Sequence, residues 1–209
     1  MAKTTNFDLE QVTNDGESAV FLPYRVEVTI EGVAPIMFHR WSCEAVEAKA
    51  NAAKGSAAKK TDDVESYLYR DAAGEIAIPG EYLRQAIIEA AKYRQDPRSP
   101  RKSAKDLFKA AIISLTDLAS TGATEPDYLD RRRVCVMRAA VTRVRPALNA
   151  GWSATFQLMV QVPEYISPQL LNAVIADAGH LVGVGDFRPS YGRFVVTGFN
   201  VLDEKEAAA

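Results

Sequence analysis

Apolar and polar residues alternate strictly through Arg25-Val26-Glu27-Val28-Thr29-Ile30-Glu31, the period-two pattern of a strand with one buried face. A mostly apolar extension, Val33 to Trp41, follows and ends in Phe38-His39-Arg40-Trp41. The same alternation returns from Ser153 to Val162, where Ala154, Phe156, Leu158 and Val160 are set against Ser153, Thr155, Gln157 and Met159. Two stretches have helical spacing instead. Pro79-Gly80 opens the first, in which Leu83, Ile87 and Ala90 share a face with Ala86 and Ala91. In the second, Ser167 is the expected N-cap, Pro168 the first helical residue, and Leu170, Leu171, Val174, Ile175 and Ala178 the buried stripe, with Gly179 as the end. Asp71-Ala72-Ala73-Gly74, flanked by Tyr67–Arg70 and Glu75–Ile78, is a hairpin signal. A loop over 94–105, one helical turn at Asp106–Ala110, a strand from Ala111 to Leu118 and a loop from Ser120 to Asp130 come next. Arg133 to Arg145 reads as one long or bent strand, with Ser153–Val162 its antiparallel successor across a turn at Pro146–Trp152. Arg193 to Leu202 is the last strand.

Stripped of insertions, the order is strand, helix, two strands, helix, strand. That predicts an α+β protein with a ferredoxin-like, RNA-recognition-motif-like antiparallel sheet, two main helices and long insertions. Residues 21–203 form the single expected domain. Residues 1–20 are polar and acidic and predict a flexible arm that orders only against a neighbour, and 204–209 a disordered tail. The segment 42–63 is rich in alanine and lysine without a broad apolar stripe; it reads as a mobile insertion with partial helix from Glu44 to Lys54. The loop at 94–105 is the second insertion.

Composition fits one globular domain of 209 residues, 47% hydrophobic and 25% charged. A net charge of -2 argues against a polyanion partner until the charge is located. Between Arg94 and Arg145 twelve basic residues stand against six acidic ones, so a basic middle lies between acidic ends, and the local field steers a partner. Cys43 and Cys135 lack metal-ligand spacing, and His39 and His180 are the only histidines, so neither a metal nor another cofactor is expected. No run of about 18 apolar residues occurs, which points to a cytoplasmic protein without a membrane partner.

The richest stretch is Gly183-Val184-Gly185-Asp186-Phe187-Arg188-Pro189-Ser190-Tyr191-Gly192-Arg193-Phe194. Glycines let backbone approach a ligand, while guanidinium and ring faces suit phosphates and unstacked bases. The alternative is a tight turn with Arg188 paired to Asp186. Arg143 and Arg145 fall on one face of a strand, and Arg193 starts a strand that this fold brings near them. Phosphate clamping is one use of such a set; ion pairing with Asp130, Asp186 or Glu164 is the other. Arg131-Arg132-Arg133 lies beside Asp127 and Asp130 and fits an ordinary solvated turn equally well. Arg98, Arg101, Lys102 and Lys105 can follow a backbone without fixed geometry. Phe187, Tyr191, Trp41 and Trp152 are candidates to stack on unpaired bases, with core packing the alternative for Trp152. His39 is the better of the two histidines as a general acid or base.

Ile78-Pro79-Gly80-Glu81-Tyr82-Leu83-Arg84-Gln85-Ala86, Arg143-Val144-Arg145-Pro146 with Trp152, and Ala178-Gly179 through the glycine-rich loop to Phe194 resemble a family of phage and prophage proteins. More distantly, the Pro-Gly helix entry and the glycine-rich loop are similar to the RAMP superfamily, which includes CRISPR backbone subunits and processing endoribonucleases. The backbone resemblance implies a modified RNA-recognition fold assembling head to tail along a single strand, with His39, Arg40, Arg143, Arg145, Arg188 and Arg193 as contacts. The expectation is therefore a protein that binds single-stranded DNA or RNA and forms a homo-oligomer, DNA being favoured by the phage likeness. Its site comprises Arg40, Arg101, Lys102, Arg143, Arg145, Phe187, Arg188, Tyr191 and Arg193. A metal-independent endoribonuclease using His39 is one alternative, and a structural or decoy subunit contacting CRISPR or virion proteins is another.

Overall fold

Burial in β1 (Tyr24–Gly32) follows its sequence alternation, with Val26, Val28 and Ile30 fully enclosed. Ala154, Phe156, Leu158 and Val160 do the same in β10 (Ser153–Val160), which runs antiparallel to β1 with Val28 opposite Phe156. The computed structural model describes residues 22–53, 63–136 and 139–202. The expected arm at 1–20, the tail at 204–209 and the middle of the first insertion therefore lie outside the described residues.

Four strands make the principal sheet, in the order β11 (Phe194–Leu202), β1, β10 and β6 (Ile112–Ser114), every pair antiparallel. Counted along a βαββαβ unit this is fourth, first, third, second, the ferredoxin-like arrangement. The inward side chains of β1 and β10 join those of α2 (Gly80–Ala91) and α4 (Pro168–Leu181) in one apolar cluster, including Leu83, Ile87, Leu171, Val174 and Ile175. Each such side chain contributes about 1.5–3 kcal/mol on burial. Gly80 starts α2 where a Cβ would strike the Thr116 carbonyl and Ser114 Oγ. Arg84 then ties the helix to the strand beside it by donating to the Ile112 carbonyl at 2.7 Å and the Lys109 carbonyl at 2.8 Å.

Several elements differ from the sequence reading. Arg133–Arg145 is not one strand. β8 (Tyr128–Val136) and β9 (Ala139–Leu148) form a long antiparallel hairpin, joined by β2 (Ile36–Met37) in a second sheet, so β10 pairs with β1 and β6 instead of with this segment. The stretch 111–118 splits. After α3 (Lys105–Ala111) comes β6, then β7 (Leu118–Ser120), which pairs with β3 (Ala77–Pro79). The expected hairpin at 67–78 reduces to one bridge, Arg70 to Ile76, around the turn at Asp71. Residues 94–105 contain a small ribbon, β4 (Gln95–Asp96) against β5 (Ser99–Ser103), because Asp96 Oδ1 accepts from the Arg98 N–H at 2.9 Å and closes the turn. α1 (Cys43–Asn51) is capped by Ser42, whose Oγ accepts from the Ala45 N–H. Gly179 does not end α4. It lies inside the helix, where a Cβ would meet the Phe194 carbonyl, and the left-handed residue is Gly183 at φ 77°.

Trp152 belongs to the core, 5% exposed, with its Nε1–H donating to the Ala34 carbonyl at 2.8 Å. Trp41 is the opposite case at 73% exposed.

Candidate nucleic-acid interface

The glycine-rich loop owes its shape to backbone pairing with the start of the second sheet. Val184 N–H donates to the Gly192 carbonyl (2.9 Å), Gly192 N–H to Pro35 (2.7 Å), and Asp186 N–H to Met37 (2.9 Å). Gly185 at φ 81° and Gly192 at φ 70° are left-handed, and each also sits against backbone: a Cβ on Gly185 would approach the Met37 carbonyl to 2.7 Å, and one on Gly192 would overlap Val184. Phe187 is the one non-glycine residue at positive φ among the described residues, at 56°, and it directs its ring to the β8–β9 hairpin.

Cross-strand register puts Asp130 opposite Arg145 and Arg132 opposite Arg143, so all four share one hairpin face. Arg132 donates from Nε to Asp130 Oδ1 at 2.5 Å, and from Nη2 to Asp130 Oδ2 and to Tyr191 Oη, both at 2.6 Å. Its guanidinium lies 4.7 Å from the Phe187 ring centre and 4.8 Å from that of Tyr191. Arg145 sits 4.8 Å from the same Phe187 ring and forms an ion pair with Asp186. Its side chain is 10% exposed, and neither its Nε nor its Nη1 makes an aligned hydrogen bond. The hydrogen bond from Arg132 holds the Asp130 carboxyl below its ordinary range, and the carboxylate in turn raises Arg132. Arg143 is half-buried beside them.

A second group of rings adjoins this one. His39 Nδ1 is 3.8 Å from Asp186 Oδ2, and its imidazole meets Tyr67 edge to face at 5.0 Å. Arg40 lies 5.5 Å over Tyr69, whose hydroxyl is 3.4 Å from that of Tyr82. Burial, first of all, pushes the Tyr82 phenol up. His39, Arg40, Trp41, Arg188 and Arg193 are all exposed.

Of the expected site residues, the fold therefore gathers Arg143, Arg145, Phe187 and Tyr191 into one cluster, with Arg40 and Arg188 at its margin. Arg193 is exposed where the loop enters β11, and Arg101 and Lys102 project from β5, a separate ribbon. Asp130, Tyr67, Tyr69 and Tyr82 are absent from the site expected from sequence, where Arg132 reads as an ambiguous turn residue. The signal for Arg132 is period two with Asp130 on a strand, and it is hidden as long as the hairpin goes unrecognised.

The outward face of the principal sheet is different in kind. Arg25, Glu27, Thr29 and Glu31 of β1 alternate there with Ser153, Thr155, Gln157 and Met159 of β10, none of them aromatic. Bases have no ring to stack on along these two central strands. Among the described residues, no three His, Cys, Asp or Glu side chains converge as a metal site, and no helix is long and apolar enough to cross a membrane.

Among solved structures, a chain from the type III-B Cmr-β complex bound to cognate target RNA is similar in fold, with a TM-score of 0.51 at 8% identity over 87% of the present chain. The present chain spans 61% of that chain's length. No family model and no curated protein matches the sequence. What is shared with that chain, at this level of identity, is the fold.

Proposed function

We propose that the protein binds single-stranded nucleic acid, RNA in preference to DNA, across the surface where the glycine-rich loop meets the β8–β9 hairpin. The observation that carries this reading is the convergence of Arg132, Arg145, Phe187 and Tyr191, drawn from two distant stretches of chain, with exposed Arg40 and Arg188 at its margin. Arg132 and Arg145 already have acids, so they position the loop. Exposed Arg40, Arg188 and Arg193 supply the phosphate contacts, and Trp41 a ring for an unpaired base. Arg101 and Lys102 add salt-sensitive affinity without register. Preference for RNA is supported by the RNA-bound assembly that shares the fold. Copies assemble side by side along the strand.

Fluorescence anisotropy with a labelled 30-nucleotide poly-U strand, read across a salt series, tests this. Replacing Arg40 and Arg188 with alanine is expected to weaken binding and lower the slope of log K against log salt by roughly 0.7 for each phosphate no longer neutralised. No binding of any single strand at low salt would overturn the reading and favour a subunit that contacts only proteins.

One observation favours a second reading. The exposed His39 imidazole faces the Asp186 carboxylate, an arrangement that orients a histidine for proton transfer to or from a ribose hydroxyl. Cleavage of labelled RNA in the presence of a chelator, abolished in His39→Ala with binding retained, would establish the endoribonuclease; intact RNA would dismiss it.

A further inference from the structure

A cleft of about 590 Å³ opens on the far flank of the glycine-rich loop, between that loop and the C-terminal ends of α2 and α4. Glu89, Lys92 and Tyr93 line it from the end of α2, Leu181 from the end of α4, and Phe187 and Arg188 from the loop. The volume lies within the range of small-ligand sites. Two side chains there leave unusual apolar area in water: Tyr93 is 59% exposed and Leu181 45%.

The lining holds two carboxylates, Glu89 and Asp186, and two cations, Lys92 and Arg188, but the carboxylates are also held from outside it. Glu89 is shared by Lys105 Nζ at 2.6 Å and Lys92 Nζ at 3.7 Å, and Asp186, also in the lining, belongs to Arg145. Both carboxylates of the lining are thus engaged by cations outside it, Lys105 and Arg145, and the cations of the lining itself, Lys92 and Arg188, are not their main partners. Lys92 Nζ stands over the Tyr93 ring, 4.8 Å from its centre, so one face of this exposed ring carries a cation.

A planar group carrying an anion matches that combination, and a phosphate ion alone would leave Tyr93 and Leu181 unused. We infer that the cleft is a binding site for a single nucleotide unit, its base against Tyr93 and its phosphate between Lys92 and Arg188. This rests on the nucleic-acid reading above for the source of the nucleotide: one residue of the bound strand turned out of line beside Phe187, whose ring faces the hairpin cluster while its loop walls the cleft. A free 5′-mononucleotide offers the same chemistry, and the experiment separates the two.

Titration of the full chain with uridine 5′-monophosphate, with inorganic phosphate and with a ten-nucleotide oligo-U is followed by amide chemical shifts, with Tyr93→Ala and Lys92→Ala as variants and circular dichroism as the check on folding. The expected result is that the mononucleotide shifts residues 89–93 and 181–189, phosphate does so only at far higher concentration, and each variant weakens oligo-U about tenfold. Mononucleotide binding weakened in the variants with oligo-U unaffected would assign the cleft to a free nucleotide. Cleft amides unmoved by the mononucleotide, with both variants binding oligo-U as the parent does, would overturn the site while leaving strand binding in place. Absence of oligo-U binding in the parent protein would remove the strand as source, and the mononucleotide titration would then decide the cleft by itself.

Discussion

Arg132 meets a carboxylate, a phenol and two aromatic rings within reach of one guanidinium. Its side chain is 30% exposed, so the charge pair with Asp130 is partly screened, and the ring contacts account for much of what holds loop to hairpin. A double-mutant cycle of Arg132→Ala and Phe187→Ala, read by urea unfolding, is expected to give a coupling of about 1 kcal/mol. Additive effects would mean that the ring and the guanidinium stabilise the loop independently. Part of this cluster is legible in the sequence: Arg143 and Arg145 share a face through period two, and the loop's rings and arginines announce themselves by crowding. The pairing is not. Asp186 is visible as one of three acids within reach of Arg145, and nothing along the chain distinguishes it from Asp130 or Glu164 until Met37 fixes the loop.

At the level of elements, strands and helices with one buried side are readable, while those lacking one are not. β1, β10, α2 and α4 each bury a continuous stripe, and the spacing of that stripe is their signal. β8 carries Asp130-Arg131-Arg132-Arg133 instead, and the stretch Val136-Met137-Arg138-Ala139 has no Gly, Pro, Asn or Asp to mark a reversal. In sequence the hairpin accordingly looks like a single strand. The 183–192 loop is specified by glycine, and the demand is strongest at Gly192, where both left-handed φ and contact with Val184 exclude a side chain. Gly192→Ala should therefore destabilise by more than about 1 kcal/mol and reduce strand affinity together. Equilibrium unfolding and anisotropy on the same preparation check both; a variant of full stability that no longer binds would indicate that the loop backbone itself touches the ligand.

Over the whole molecule the acids and bases are not spread evenly, and the pairs that join them set how stability responds to pH. Side-chain hydrogen bonds from Arg70, Lys105 and Arg132 lower the carboxyls of Glu65, Glu89 and Asp130, and Arg98 takes Asp96 down to about 2. A carboxyl depressed in the folded state stabilises it above the unfolded value, about 4, and loses that contribution as pH falls toward the folded value. Burial acts in the other direction on the phenols of Tyr24 and Tyr82, raising both. Their contribution is complete below the unfolded value of about 10 and is lost as pH rises beyond it. Neither set titrates between about pH 5 and 9, so these groups predict a flat urea midpoint there, a fall on the acid side below about pH 4, and a second fall above about pH 10. Asp130→Asn should start from a lower midpoint at neutral pH and show a shallower acid decline, since the neutral amide has no charge to lose. An acid limb equally steep in this variant would mean that the Asp130–Arg132 pair does not persist in solution.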